Sequence, residues 1–100
     1  MGHGRRAAAA SVRISWAPAG IADLVRIRNY IAHFNPSAAR RMGERIVAAA
    51  DSLSTMPERG RPAAGGRREL TIAWPYVLVY EVADGGIQIL RVWHGAQQRD

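Results

Sequence analysis

Within four residues near its C-terminal end the chain places three side chains able to do chemistry: Arg91, Trp93 and His94, in the string I-L-R-V-W-H-G. An arginine offers planar, two-pronged contacts to phosphate or carboxylate and stays protonated. Histidine is the side-chain type that exchanges protons near neutrality. Four more arginines, Arg59, Arg61, Arg67 and Arg68, crowd a second stretch, where close like charges are unfavourable unless solvated or matched to an anion. Trp74, just before Pro75, could stack on a base.

The rest of the inventory narrows the chemistry. All 14 basic residues are arginine, so there is no lysine to act as a general base or form a Schiff base. The absence of cysteine excludes disulfides, thiol catalysis and cysteine-bound zinc. His3, His33 and His94 show no metal-ligand spacing, so neither a metal nor a cofactor is expected. A net charge of +6 on 100 residues suggests an acidic partner, either a nucleic acid or an acidic protein. Genomic base composition accounts equally well for the missing lysines. Hydrophobic content of 48% fits one folded domain with a modest core. No apolar run approaches the roughly 20 residues that a membrane-spanning helix needs.

The elements that must position these residues follow from spacing. Met1–Ser11 has too short an apolar run for a secretory signal and reads as a flexible leader, 1–11. Val12, Ile14 and Trp16 alternate with Arg13 and Ser15, which makes a short strand. Pro18 opens a helix to about His33, its apolar face drawn from Ile21, Leu24, Ile27, Ile31 and Phe34, with Asp23, Arg26 and Asn29 elsewhere. Asn35-Pro36 reads as an N-cap and first-turn proline of a second helix to about Met56. In that helix Ala39, Met42, Ile46, Ala49, Leu53 and Met56 form a narrow seam against the first helix. Pro57–Gly66 is a loop, Arg67–Ile72 a strand broken at Ala73-Trp74-Pro75, and Tyr76–Gly95 a hairpin turning at Asp84-Gly85-Gly86. The fold class is α+β, in the order β-α-α-β-β-β: an antiparallel helical hairpin on a mainly antiparallel sheet. One domain over 12–97 is expected, with 98–100 as a tail.

The hairpin's register decides which side chains share a face. A two-residue turn would pair Val82 with Ile87; a three-residue turn would pair Ala83 with Ile87, Tyr80 with Leu90 and Leu78 with Val92. The apolar match favours the second. It sets Leu78, Tyr80, Val82, Leu90 and Val92 towards the helices, with His94 at the end of that face. Val77, Val79, Ile87, Ile89, Arg91 and Trp93 then form an uncovered outer face, where Arg91 reaches Glu81 across the strands.

Several strings resemble the RelE/ParE superfamily of toxins from bacterial type II toxin–antitoxin systems. They are A-D-L-x-x-I-x-x-Y-I from Ala22, the loop P-x-x-G-R-P from Pro57, R-R-E-L from Arg67, P-Y-V-L-V-Y from Pro75 and I-L-R-V-W-H-G-A from Ile89. The closing string is more similar to ParE-type than RelE-type members. Val77 stands where the RelE-like pattern expects arginine, and no C-terminal tyrosine follows Trp93. The resemblance implies a cytoplasmic, growth-inhibiting toxin held in a hetero-oligomeric complex by a cognate antitoxin. It also implies a plasmid-stabilisation role, with no membrane partner. For a ParE-like member it implies poisoning of DNA gyrase by binding, without catalytic residues. The alternative is a ribosome-dependent mRNA endoribonuclease (an mRNA interferase) using Arg91 and His94. A further alternative is a basic interaction module or degenerate toxin with neither activity.

Under the family reading Arg59, Arg61, Arg67, Arg68 and Trp74 are target-binding candidates, and Val77, Val79, Arg91 and Trp93 face the antitoxin. Each has a structural explanation too: His94 capping the sheet, Arg91 paired with Glu81, the arginine cluster solvated, Trp74 covering a sheet edge.

Overall fold

Arg13–Trp16 forms the short strand β1 with alternating burial, and Pro18 at once redirects the chain into helix α1, Pro18–Ala32. Helix α2 spans Pro36–Ser52, β2 Arg61–Pro62, β3 Arg67–Ala73, β4 Tyr76–Ala83 and β5 Gly86–His94. These elements belong to a computed structural model that describes residues 12–95. The expected leader 1–11, Ala96 and Gln97 at the end of the expected domain, and the tail 98–100 lie outside the described residues.

The five strands form one mixed sheet in the order β1-β5-β4-β3-β2. β1 runs parallel to β5, Ile14 opposite Ile87 and Trp16 opposite Ile89, and the two helices carry the chain from β1 to β2 at the opposite edge of the sheet. The other pairings are antiparallel. The two-residue β2 is an addition to the expected order. It lies inside the stretch that reads as loop, because Arg61 and Pro62 pair with Glu69 and Arg68.

Asn35 caps α2 as its sequence implies, its Oδ1 accepting from the Ala38 N–H at 3.0 Å. The helix ends at Ser52, a turn before the expected Met56, where Ser52, Ser54 and Thr55 weaken helix propensity. Met56 is accordingly exposed. Of the expected seam, Ala39, Ile46 and Leu53 are buried, but Ala50 and Leu53 pack into the sheet core with Leu70, Leu78 and Tyr80, so α2 serves the sheet as well as α1. Ile21 on α1 and Phe34 just beyond its end, both expected on the apolar face, are exposed, and Asp23, expected on the polar face, is buried.

The hairpin combines both registers. Near the turn Ala83 faces Gly86, Val82 faces Ile87 and Tyr80 faces Ile89, with Gly85 taking the positive φ (84°) that the tight turn requires. A β-bulge then inserts Leu90, after which Val79 faces Arg91 and Leu78 faces Val92. The three-residue turn is therefore corrected to a two-residue one, while the expected Leu78–Val92 pairing stands. The energetics explain the choice. The three-residue register would turn Ile87 and Ile89 outward, forfeiting roughly 1.5–3 kcal/mol for each. A bulge disturbs about one ladder hydrogen bond, net about 1 kcal/mol. Ile87 and Ile89 accordingly sit in the core, 1% and 0% exposed, and Leu90 is only half-buried.

Candidate functional site

Just past the bulge, Arg91 leaves the sheet towards α1. Its Nε donates to Asp23 Oδ2 at 2.7 Å and its Nη2 to Oδ1 at 3.1 Å, the planar fork arrangement expected of an arginine–carboxylate pair. The Val92 N–H also donates to Oδ2, at 2.9 Å, and Arg26 donates to Oδ1 from the next turn of α1. Four donors thus converge on one carboxylate that is 2% exposed. β1 has ended at Trp16, opposite Ile89. Beyond it the carboxylate of Asp23 caps the open edge of β5 as a neighbouring strand's carbonyl would.

The electrostatics follow from this geometry. Burial by itself would raise the Asp23 pKa. The Arg91 hydrogen bonds, the Val92 N–H and the charges of Arg91 and Arg26 outweigh it, leaving the carboxyl below its ordinary range. Hydrogen bonding to Asp23 in turn holds Arg91 more firmly protonated than usual, against a smaller opposing effect of burial. Burial, helped by nearby Tyr30, raises the Tyr76 phenol, so its hydroxyl keeps its proton.

These residues line a cleft of about 350 Å³ between the C-terminal half of α1 and the end of β5, walled by Tyr30, Tyr76, Trp93 and His94. The Arg91 guanidinium lies 5.8 Å from the Trp93 ring centre, and the rings of Tyr76 and His94 meet edge to face at 5.5 Å. Trp93 Nε1 and His94 Nδ1 are buried without a hydrogen-bond partner among the described residues.

The expected site residues fall into two places. Arg91, Trp93 and His94 come together at this cleft, although the expected register had sent Arg91 and His94 to opposite faces. The expected Arg91–Glu81 pair is replaced by Arg91–Asp23. Val77 is half-buried opposite Trp93, but Val79 is only 4% exposed, and with Ile89 in the core the outer apolar face shrinks to little more than Val77 and Trp93. Trp74 stands 70% exposed at the β3–β4 turn, where the Trp74–Pro75 peptide is cis.

The arginine cluster lies at the other end of β3. There Arg59 Nη1 donates to Ser52 Oγ at 2.7 Å, Arg61 pairs with Glu69 at 3.2 Å and Arg68 Nη1 donates to the Gly60 carbonyl at 2.7 Å. Arg67 is exposed. What fixes this loop is Tyr80, fully buried, whose hydroxyl accepts from the Gly60 N–H and donates to the Pro57 carbonyl, both at 2.8 Å. Gly60 must be glycine for this approach: a β-carbon there would lie 2.8 Å from the Tyr80 hydroxyl and from the Glu69 carbonyl oxygen.

Sequence reasoning missed Asp23, Arg26, Tyr30 and Tyr76 as members of the cleft. A signal for Asp23 existed: spaced three before Arg26 and four before Ile27, it falls beside Leu24 and Ile27 on the stripe that α1 turns inward.

A two-helix hairpin on a five-stranded mixed sheet places the chain in the α+β class. The model of the family described as the ParE toxin of the type II toxin–antitoxin system parDE matches residues 14–99, and the chain belongs to that family within the RelE/ParE superfamily. It is similar to "Toxin RelE2" of Caulobacter vibrioides, 48% identical over 85 residues that cover 85% of this chain and 97% of that protein. Among solved structures it is similar to the chromosomal ParDE toxin–antitoxin system of P. aeruginosa, with a TM-score of 0.74 and 29% identity over 85% of this chain and 97% of that one. The RelBE2 toxin–antitoxin complex of Mycobacterium tuberculosis, at TM-score 0.63 and 23% identity over 84% and 98% of the two chains, shares the fold. Among the described residues no helix is long and apolar enough to cross a membrane.

Proposed function

We propose that this toxin stops growth by binding DNA gyrase in the cytoplasm, without catalysis, and is silenced in a complex with a cognate antitoxin. One observation carries the binding reading: the arginine that a nuclease would need is already engaged. Arg91 forms its bidentate bond with Asp23, and Asp23 has every acceptor position taken by donors. General acid–base catalysis needs a base within reach of a substrate proton and a partner acid. Of the cleft's titratable groups, Asp23 is locked as a carboxylate and Tyr76 as a phenol. Beside these the cleft holds Tyr30 and His94, the latter with its Nδ1 buried. The exposed side chains Arg59, Arg61, Arg67 and Trp74, with the half-buried Arg68, would supply the target-binding surface.

The endoribonuclease reading keeps one observation in its favour, that Arg91 and His94 line the same cleft. The two separate when the toxin is induced without antitoxin and DNA supercoiling and translation are followed side by side. Loss of supercoiling with DNA breaks, before translation falls, is the expected result. Translation stopping first with supercoiling intact, and restored by His94→Ala, would instead establish the nuclease. Unimpaired growth would leave neither activity. A short adjoining reading frame for an acidic protein would supply the antitoxin.

A further inference from the structure

The charges of α2 are sorted between its two flanks. On the flank turned to α1, Arg40 shares a groove with Glu44, Asp51 and Arg28 of α1, so cations and carboxylates offset each other. On the other flank Arg41 and Arg45 stand one turn apart, both exposed. Ser52 follows two turns further along that face, and its hydroxyl oxygen accepts from Arg59 Nη1 at 2.7 Å. Arg41 is held in the same way, its Nη1 donating to Ser37 Oγ at 2.7 Å. Arg45 and Arg59 both line a hollow of about 250 Å³ between α2 and β3, together with Thr71. β2 pairs with β3 only at Arg68 and Glu69, so no strand continues beside Thr71. No carboxylate lines the hollow, and no ion pair among the described residues engages Arg41, Arg45 or Arg59.

We propose that Arg41, Arg45 and Arg59 form a track for the phosphate backbone of duplex DNA. The assignment rests on the gyrase reading above and adds that the toxin touches the DNA on which that enzyme works. From Arg41 to Ser52 the helix rises roughly 16 Å, about five phosphate steps along one DNA strand. Three guanidinium groups in line, with no carboxylate between them, suit an anion that repeats. Two of the three are already held by serine hydroxyls, so less side-chain freedom is lost on binding. Single strands are gripped by aromatic rings set among cations, and neither α2 nor the hollow carries a ring. An acidic protein would need apolar anchors, and none of the exposed large apolar side chains among the described residues lines the hollow. Contacts of this kind position a protein on DNA without reading its sequence.

The test measures binding of the full chain to a short mixed-sequence DNA duplex over a range of salt, with binding to DNA-free gyrase followed separately. Three neutralised phosphates give a slope of log K against log salt of about −2.7, so affinity should fall about fortyfold between about 50 and 200 mM salt. The double variant Arg41→Gln/Arg45→Gln should lose about 1.8 of that slope. Arg40→Gln, on the balanced flank, should lose none of it. All three positions are exposed, so melting midpoints should match wild type. Arg41→Lys/Arg45→Lys, which keeps the charge, should retain the wild-type slope and separates loss of charge from any loss of fold. If the duplex does not bind, if the glutamine double variant keeps the full slope, or if Arg40→Gln lowers it equally, the assignment fails whatever the gyrase result. Tighter binding of a single-stranded RNA of the same length would also overturn it. If the duplex binds as expected and gyrase does not, the gyrase reading fails and the DNA track stands without it.

Discussion

Arginines dominate two regions of this toxin, and the two use them in opposite ways. Where α1 meets the end of β5, Arg26 and Arg91 converge on Asp23, a carboxylate almost wholly removed from water. In the loop from Pro57 to Arg68, Arg59, Arg61 and Arg68 each find a different acceptor (a serine hydroxyl, a half-buried carboxylate, a backbone carbonyl), and the loop is held by Tyr80 instead. Density of cations does not decide what an arginine contributes. The depth of its anion does, because a buried carboxylate cannot lose its partners without facing a large desolvation cost.

If that contrast holds, Asp23→Ala is the most damaging change. It strands the Val92 N–H, uncouples two arginines and removes a buried polar link between α1 and β5. A loss of about 3 kcal/mol of unfolding free energy is expected in denaturant titration. Asp23→Asn, which still accepts from Val92, should lose less; equal losses would mean that charge contributes nothing there. Next comes Tyr80→Phe, which leaves the Gly60 N–H and Pro57 carbonyl without their buried partner and should cost about 2 kcal/mol. Gly60→Ala should be similar in size, through steric conflict with Tyr80 and β3.

A third expectation concerns acid. Asp23 binds its proton less readily folded than unfolded, so its contribution is fully present above the unfolded carboxyl pKa of about 3.9 and is lost as pH falls through the lower folded value. Stability measured from neutral pH downward should therefore decline below about pH 4, more steeply in wild type than in Asp23→Asn. The smallest effect belongs to the other region: Arg61→Gln, which breaks only the exposed pair with Glu69, should leave the melting midpoint unchanged. A clear drop there would erase the contrast between the two regions.

Most of the architecture was legible in local pattern. The alternation of β1, the Asn35-Pro36 helix start, the break at Trp74-Pro75 and the turn glycines depend on near neighbours, and each lies where its residues imply. The site was legible only in part. Arg91, Trp93 and His94 stood out by residue type and hold the expected register beyond Leu90, yet their grouping was misread because β1 ends at Trp16 and Arg91 reaches past the open edge of β5 to Asp23.

What the sequence determines alone is therefore the order of elements, the family and the cationic, lysine-free character of the chemistry, all carried by residue type and short-range spacing. What only the tertiary structure decides is which arginine is organised and which is merely solvated. Asp23 and Arg91 are 68 positions apart, and their meeting depends on the parallel pairing of β1 with β5 and the end of β1 at Trp16. Burial of that pair is a property of the packed layers, and no local pattern of charge carries it.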